Sequence, residues 1–235
     1  SGFLSLILLY YLIQLFWGKY WGISGIIFLA SYPLFIRYTN SGGFEVFNML
    51  CSLIFFVCLF NFIKIPDATR SEALLLFIPL LSQSRYESVL ALFIALPIVF
   101  IVLPRKEYQK LSYNFVIFPL LLVAPAWLRL ITSNAESWQV DSLEGGFGIK
   151  WISVNLKKAF SFYFSGNNNY GINYIISYLA IIGFILLVYK LISNKPIYDE
   201  QNRMNDKELF YCKIFWFSVF IFYLLHALFD SFIVG

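Results

Sequence analysis

Three consecutive residues, Arg85, Tyr86 and Glu87, stand between the apolar runs Ala73–Leu81 and Val89–Leu103, and they limit the folds open to this chain. An ionisable side chain held in hydrocarbon costs roughly 2.5–3.5 kcal/mol on insertion scales. A single helix crossing from Ala73 to Leu103 would put Arg85 and Glu87 at mid-membrane. It would also carry Arg105, Lys106 and Lys110 to the side opposite the other cationic loops. Two short segments meeting at a polar break avoid both penalties. The bilayer itself is demanded by composition: 60% of the residues are hydrophobic and 13% are charged, against about 45–50% and about 25% in soluble domains. So few charges cannot clothe a chain of this length in water.

Hydropathy divides the sequence into eight segments: Phe3–Trp17, Trp21–Ile36, Phe44–Ile63, Ala73–Gln83, Ser88–Leu103, Val116–Ile131, Ile172–Ile192 and Leu209–Val234. The expected fold is an all-α, polytopic transmembrane helix bundle, a single domain over residues 1–235. Several segments fall short of the ~20 residues that span a ~30 Å core. The fourth is the shortest, and with the fifth it reads as a broken hairpin, which lipid tolerates where protein or water covers the backbone. Aromatic residues are 21% of the chain. Many Tyr and Trp stand at run ends, where such rings anchor at the headgroup level.

Charge sets the orientation. The loops after the first, third, fifth and seventh segments hold Lys19; Lys64 and Arg70; Arg105, Lys106 and Lys110; and Lys190, Lys195, Arg203 and Lys207. The opposite side holds Arg37, Arg85, Arg129, Lys150, Lys157 and Lys158. Ten cations against six make the first set cytoplasmic and the N-terminus extracytoplasmic. On that outer side, residues 133–170 form a long loop. Within it Ile152, Leu156, Phe160 and Tyr163 recur at helical spacing, so Trp151–Phe164 is expected as an amphipathic helix lying in the interface with lysines toward lipid phosphates. Residues 193–208 form a polar cytoplasmic loop.

Function classes are narrowed by what is missing. There is no phosphate-loop glycine motif, no metal-ligand spacing and no Ser-His-Asp order. One histidine rules out a His-rich metal centre, and Cys51, Cys58 and Cys212 read as small buried hydrophobes. The cations sit in short loops between apolar runs, so the net charge of +4 needs no nucleic-acid partner. The first run lacks a basic flank and cleavage site, so a signal peptide is not expected, and both termini read as cuts from a longer chain.

The remaining polar residues gather on the outer side. Arg37 and Glu45 frame a short loop, Arg37-Tyr-Thr-Asn-Ser-Gly-Gly-Phe-Glu45. Arg85 and Glu87 lie at the same level, Arg129 ends the sixth segment, and His226 and Asp230 share one face of the last. Each has a plain structural reading: a solvated loop, an ion pair capping a hairpin, a snorkelling arginine, a structural hydrogen bond. Together they offer guanidinium forks for a lipid phosphate and carboxylates to take a proton from a hydroxyl.

Taken in order, Gly22-Ile-Ser-Gly-Ile-Ile-Phe-Leu-Ala-Ser-Tyr-Pro33, Arg37-Tyr38, the acid Glu45, a long apolar run and Ser82-Gln-Ser-Arg85-Tyr-Glu-Ser-Val-Leu90 resemble the GT-C superfamily of polyprenyl-phosphate-sugar-dependent membrane glycosyltransferases. That superfamily includes protein mannosyltransferases and the aminoarabinose transferase of lipid A. The resemblance spans nearly the whole chain as a pattern of hydropathy and a few polar positions. It implies transfer of one sugar, with inversion, from a polyprenyl-phosphate carrier to a glycan, lipid or protein acceptor outside the cytoplasm. The superfamily's main catalytic carboxylate lies in an earlier outside loop, which this chain lacks, so the resemblance implies that the chain alone is inactive. Glu45 matches a second acid near the donor or a metal, which leaves a divalent cation open as cofactor. Arg37 and Arg85 match the donor phosphate. The expected setting is the inner membrane of a cell envelope, and the Phe-, Ile- and Asn-rich residue usage points to a bacterium. An O-antigen-type polymerase or ligase is a second reading, although residues 133–170 carry no Arg. A transporter or non-catalytic scaffold is the third, and it would favour polar residues at mid-membrane.

Overall fold

The computed structural model describes residues 1–41, 44–113, 117, 120–121, 150–164, 173–192 and 206–231. Among these the chain is all-helical: α1 (Gly2–Trp17), α2 (Lys19–Ala30), α3 (Pro33–Ser41), α4 (Phe44–Lys64), α5 (Ala68–Ser84), a 3-10 helix (Tyr86–Ala91), α6 (Leu92–Val102), a one-turn α7 (Arg105–Tyr108), α8 (Lys150–Phe164), α9 (Asn173–Ile192) and α10 (Asp206–Ser231). Among the described residues two helices are long and apolar enough to cross a membrane, over Glu45–Lys64 and Phe210–Ala227. Gly2–Trp17, Ser88–Val102 and Ser177–Tyr189 are shorter apolar stretches. The expected segment Val116–Ile131 lies almost wholly outside the described residues.

Two compact units divide the chain, residues 1–130 with 197–222 and residues 131–196 with 223–235. In the first, α1 and α2 form a tight pair hinged at Gly18, whose φ of +85° is open to glycine at no steric cost. Small residues let the pair approach closely. A Cβ on Gly22 would meet the Tyr10 ring at 2.8 Å and the Tyr10 carbonyl at 3.3 Å. The second expected segment, Trp21–Ile36, is not one run but two helices. The backbone breaks at Ser31–Tyr32, and Pro33 opens α3 at the position where its missing N–H costs nothing. The expected loop from Arg37 to Glu45 shortens for the same reason: Arg37 lies inside α3 and Glu45 in the first turn of α4.

An aromatic core joins α1, α4 and the first half of α10. Phe215 stacks on Phe16 at 5.0 Å and meets Phe60 edge-on at 5.5 Å, while Phe222 packs on Phe55 and Phe56 at 5.7 and 5.2 Å. These pairings run α10 antiparallel to α4. Phe16, Phe55 and Phe215 are among the largest fully buried side chains.

The hairpin expected from the Arg85 triplet is present. Asp67 caps α5 by accepting the Arg70 N–H at 2.8 Å, extending this helix a turn ahead of the expected Ala73 start. The chain then reverses at Arg85. At the far end Glu107 accepts the Ala68 N–H at 3.3 Å and Glu72 accepts that of Ser112 at 3.3 Å. The loops carrying Lys64 and Arg70 and those carrying Arg105, Lys106 and Lys110 therefore share one end of the unit, as the charge reading requires. Lys110 bonds Glu107 at 2.5 Å. That bond and the Ala68 N–H hold the Glu107 carboxyl below the usual glutamate range.

In the second unit, α8 forms over the expected amphipathic stretch. Its Leu156 and Phe160 are exposed, and Phe164 meets Tyr178 of α9 at 5.6 Å. Around α9, Ile175, Leu179, Ile182, Phe184, Ile185 and Leu186 are all exposed. An apolar surface on every side of a helix is what a bilayer or an apolar core accommodates and water does not.

Candidate functional site at the helix break

The candidate site lies at the turn of the hairpin, where α4 passes the end of α5. Arg85 is extended, at φ −153° and ψ 134°, between the end of α5 and the 3-10 helix. Its N–H reaches the Leu81 carbonyl at 3.4 Å, and its own carbonyl accepts the Ser88 N–H at 3.0 Å. The Arg85 residue is exposed, while Ser84 on one side and Ser88 beyond it are buried.

Asn48 braces this break from the neighbouring helix. Its Oδ1 accepts the Ser84 hydroxyl at 2.7 Å and the Ser88 hydroxyl at 3.2 Å. A carbonyl oxygen has two lone pairs, so one amide holds both flanks of Arg85. Ser84 also reaches the Leu81 carbonyl at 2.6 Å. Its single proton serves either oxygen, so Ser84 keeps an acceptor without Asn48. Cys51, one turn along α4, lies within hydrogen-bonding reach of Ser84. Ser52 is also buried. In surroundings this apolar each polar group needs a partner, and the hydroxyls of α5 find theirs on carbonyls three residues back, as Ser82 does on Pro79 at 2.8 Å.

Of the expected site residues, the structure gathers part. Glu45 is exposed and lies one turn before Asn48, so α4 brings it toward the end of the hairpin that holds Arg85. Arg37 is exposed on α3, the helix that leads into α4. The tip of α3 also touches the start of α1, where a Cβ on Gly2 would lie 2.7 Å from Thr39. Glu87 lies in the 3-10 helix with its side chain outside the description, and Arg129 is outside the described residues altogether. His226 and Asp230 are one turn apart on α10, in the second unit; His226 is half-buried and the Asp230 side chain is not described. Among the described residues no cluster of three His, Cys, Asp or Glu has the geometry to hold a metal ion.

Sequence reasoning missed Asn48, Ser84 and Ser88. One signal was present: Asn48 follows Glu45 by three residues and precedes Ser52 by four, on one face of a run that is then apolar up to Asn61. Chemically, the arrangement presents one guanidinium from a fixed, non-helical backbone at the end of an apolar hairpin. No protein-family model, no curated protein and no solved structure matches this chain.

Proposed function

We propose that this chain is the multi-pass membrane part of a glycosyltransferase that takes a sugar from a polyprenyl-phosphate carrier and gives it to an acceptor outside the cytoplasm. The observation that carries the reading is the braced break: Arg85 is extended and exposed, with Ser84 and Ser88 on its flanks tied to Asn48. A lipid phosphate arriving along apolar helices meets a guanidinium whose backbone is already fixed, so on the protein side binding has only the side chain left to order. In the reaction, a carboxylate accepts the proton of the acceptor hydroxyl and the oxygen attacks the anomeric carbon. The bond to phosphate breaks with inversion, and polyprenyl phosphate leaves with the electron pair. Cations beside the leaving group stabilise the charge that develops there. Within this chain Glu45 is the candidate acid beside the donor, and Arg37 a second cation. Eight membrane segments, an extracytoplasmic N-terminus and an interfacial α8 complete the reading, supported by the apolar circumference of α9 and by the shared end of the cationic loops.

The test is binding of a polyprenyl-phosphate-linked sugar to the purified chain in detergent, compared with the phosphate-free polyprenol. Charge-assisted hydrogen bonds contribute about 1.5–3 kcal/mol, so Arg85→Gln is expected to weaken the phosphorylated lipid roughly tenfold or more and leave the polyprenol unchanged. Arg85→Lys keeps the charge but loses the fork, and falls between the two. Equal binding of both lipids to the unmodified chain, or unchanged binding in Arg85→Gln, refutes the reading.

A further inference from the structure

The end of the hairpin opposite Arg85 carries an apolar stripe that terminates in cations. On α6, Phe93, Pro97, Phe100 and Ile101 recur at helical spacing and are all exposed, Ile101 at 79%. From Phe93 to Ile101 the stripe runs about 12 Å along the helix axis. That is most of one leaflet of a ~30 Å hydrocarbon core. Arg105 and Lys106 follow directly and are exposed, and the Ala68–Glu107 hydrogen bond brings the loop after exposed Lys64 to the same end.

Neighbouring acids are already engaged. Asp67 pairs with Arg70, Glu107 with Lys110 and the Ala68 N–H, and Glu72 with the Ser112 N–H. Among the described residues no carboxylate pairs with Lys64, Arg105 or Lys106. The turn is also braced. Tyr108 folds back so that its ring stacks on Phe100 at 6.2 Å and 16°, and its hydroxyl bonds the Val99 carbonyl at 3.2 Å and the Phe100 carbonyl. The Phe100 carbonyl at the helix end is thereby satisfied in place, while that of Val99 also accepts the Leu103 N–H at 3.0 Å. The cations are left beside the stripe with their charge uncompensated.

We infer that this face binds an anionic phospholipid, with an acyl chain along Phe93–Ile101 and the headgroup phosphate at Arg105, Lys106 and Lys64. Length and charge together select that occupant. A free phosphate would make no use of the stripe, and a wholly apolar partner would leave the cations uncompensated. The inference rests on the membrane placement of the proposed function and not on its chemistry.

Lipid adducts on the chain purified in detergent, read by native mass spectrometry, test it with phosphatidylglycerol and phosphatidylcholine of identical acyl chains. Phosphatidylglycerol is expected to bind more tightly, with a preference that falls as salt rises. Each cation neutralised among Lys64→Gln, Arg105→Gln and Lys106→Gln should weaken phosphatidylglycerol roughly fivefold and leave phosphatidylcholine unchanged. Gln109→Ala, exposed and uncharged in the same turn, serves as the control and should change neither. Circular dichroism and elution volume report folding; if the triple variant does not fold, Lys106→Gln alone carries the test. Equal binding of the two lipids, an unchanged preference in a folded variant, or competition by inorganic phosphate as effective as the lipid itself overturns the site. Release of the chain from membranes by alkaline carbonate would instead overturn the membrane placement, and loss of polyprenyl-phosphate binding alone would leave this site standing.

Discussion

Replacing Asn48 by leucine should cost more through Ser88 than through Ser84, although Ser84 lies closer to the amide. The Asn48 amide accepts Ser84 at 2.7 Å and Ser88 at 3.2 Å, and both serines are buried. When the amide is lost, Ser84 still donates to the Leu81 carbonyl at 2.6 Å. Ser88 is fully buried, and its hydroxyl is stranded. A lost hydrogen bond is worth about 1 kcal/mol, and a stranded buried hydroxyl adds about 1–3 kcal/mol. Asn48→Leu should therefore destabilise by roughly 2–4 kcal/mol, and adding Ser88→Ala should recover about 1–3 kcal/mol of that by removing the stranded group. Adding Ser84→Ala should recover almost nothing. Reversible unfolding in mixed micelles, run as two double-mutant cycles, measures both couplings. Additive cycles for both pairs, or a larger coupling through Ser84, would refute the brace as drawn.

Three further outcomes follow from the same contacts. Phe215→Ala removes the ring shared by Phe16, Phe56 and Phe60 and should cost about 3–5 kcal/mol in the same assay, whereas Phe217→Ala, at an exposed position, should cost far less. Glu107 has its pKa lowered by Lys110 and the Ala68 N–H, so its contribution is present above the ordinary glutamate pKa of about 4.3 and is lost as pH falls through the lowered value. Hydrogen exchange at the Ala68 amide should speed up on that acidification in the parent chain and be fast and pH-insensitive, after correction for intrinsic rates, in Glu107→Gln. Tyr108→Phe, which frees the Phe100 carbonyl and leaves that of Val99 with the Leu103 N–H alone, should lower stability by about 1 kcal/mol and speed exchange in the turn after α6.

Much of the helix order was legible because hydropathy and charge act over whole segments. The triplet at Arg85 marked a true break, since two charged residues cannot share the middle of an apolar helix. Asp67 and Pro33 were legible in principle, one as a cap and one as a first-turn proline, and using them would have placed the starts of α5 and α3 correctly. Asn48 was hidden for a different reason. Its partners are serines 36 and 40 residues away, and a hydroxyl that bonds its own helix leaves no trace in hydropathy. The proposed chemistry rests on Arg85, Glu45 and Arg37 as read from the sequence, and the fold adds the amide that braces the backbone at the first of them.

The central claim is that the Arg85 end and the Glu107 end of the first unit face opposite sides of a membrane, with Arg85 outside. Single cysteines in a chain lacking Cys51, Cys58 and Cys212 test it with an impermeant thiol reagent on intact cells. Gln83 is the better outer probe than Ser84, which is buried, and Asn40 on α3 is a second; Asp67 and Gln109 report the other end. Labelling of Asn40→Cys and Gln83→Cys from outside, with Asp67→Cys and Gln109→Cys reached only after permeabilisation, is the expected result. Labelling of Gln109→Cys but not Gln83→Cys in intact cells would invert the orientation and contradict an extracytoplasmic sugar transfer at Arg85.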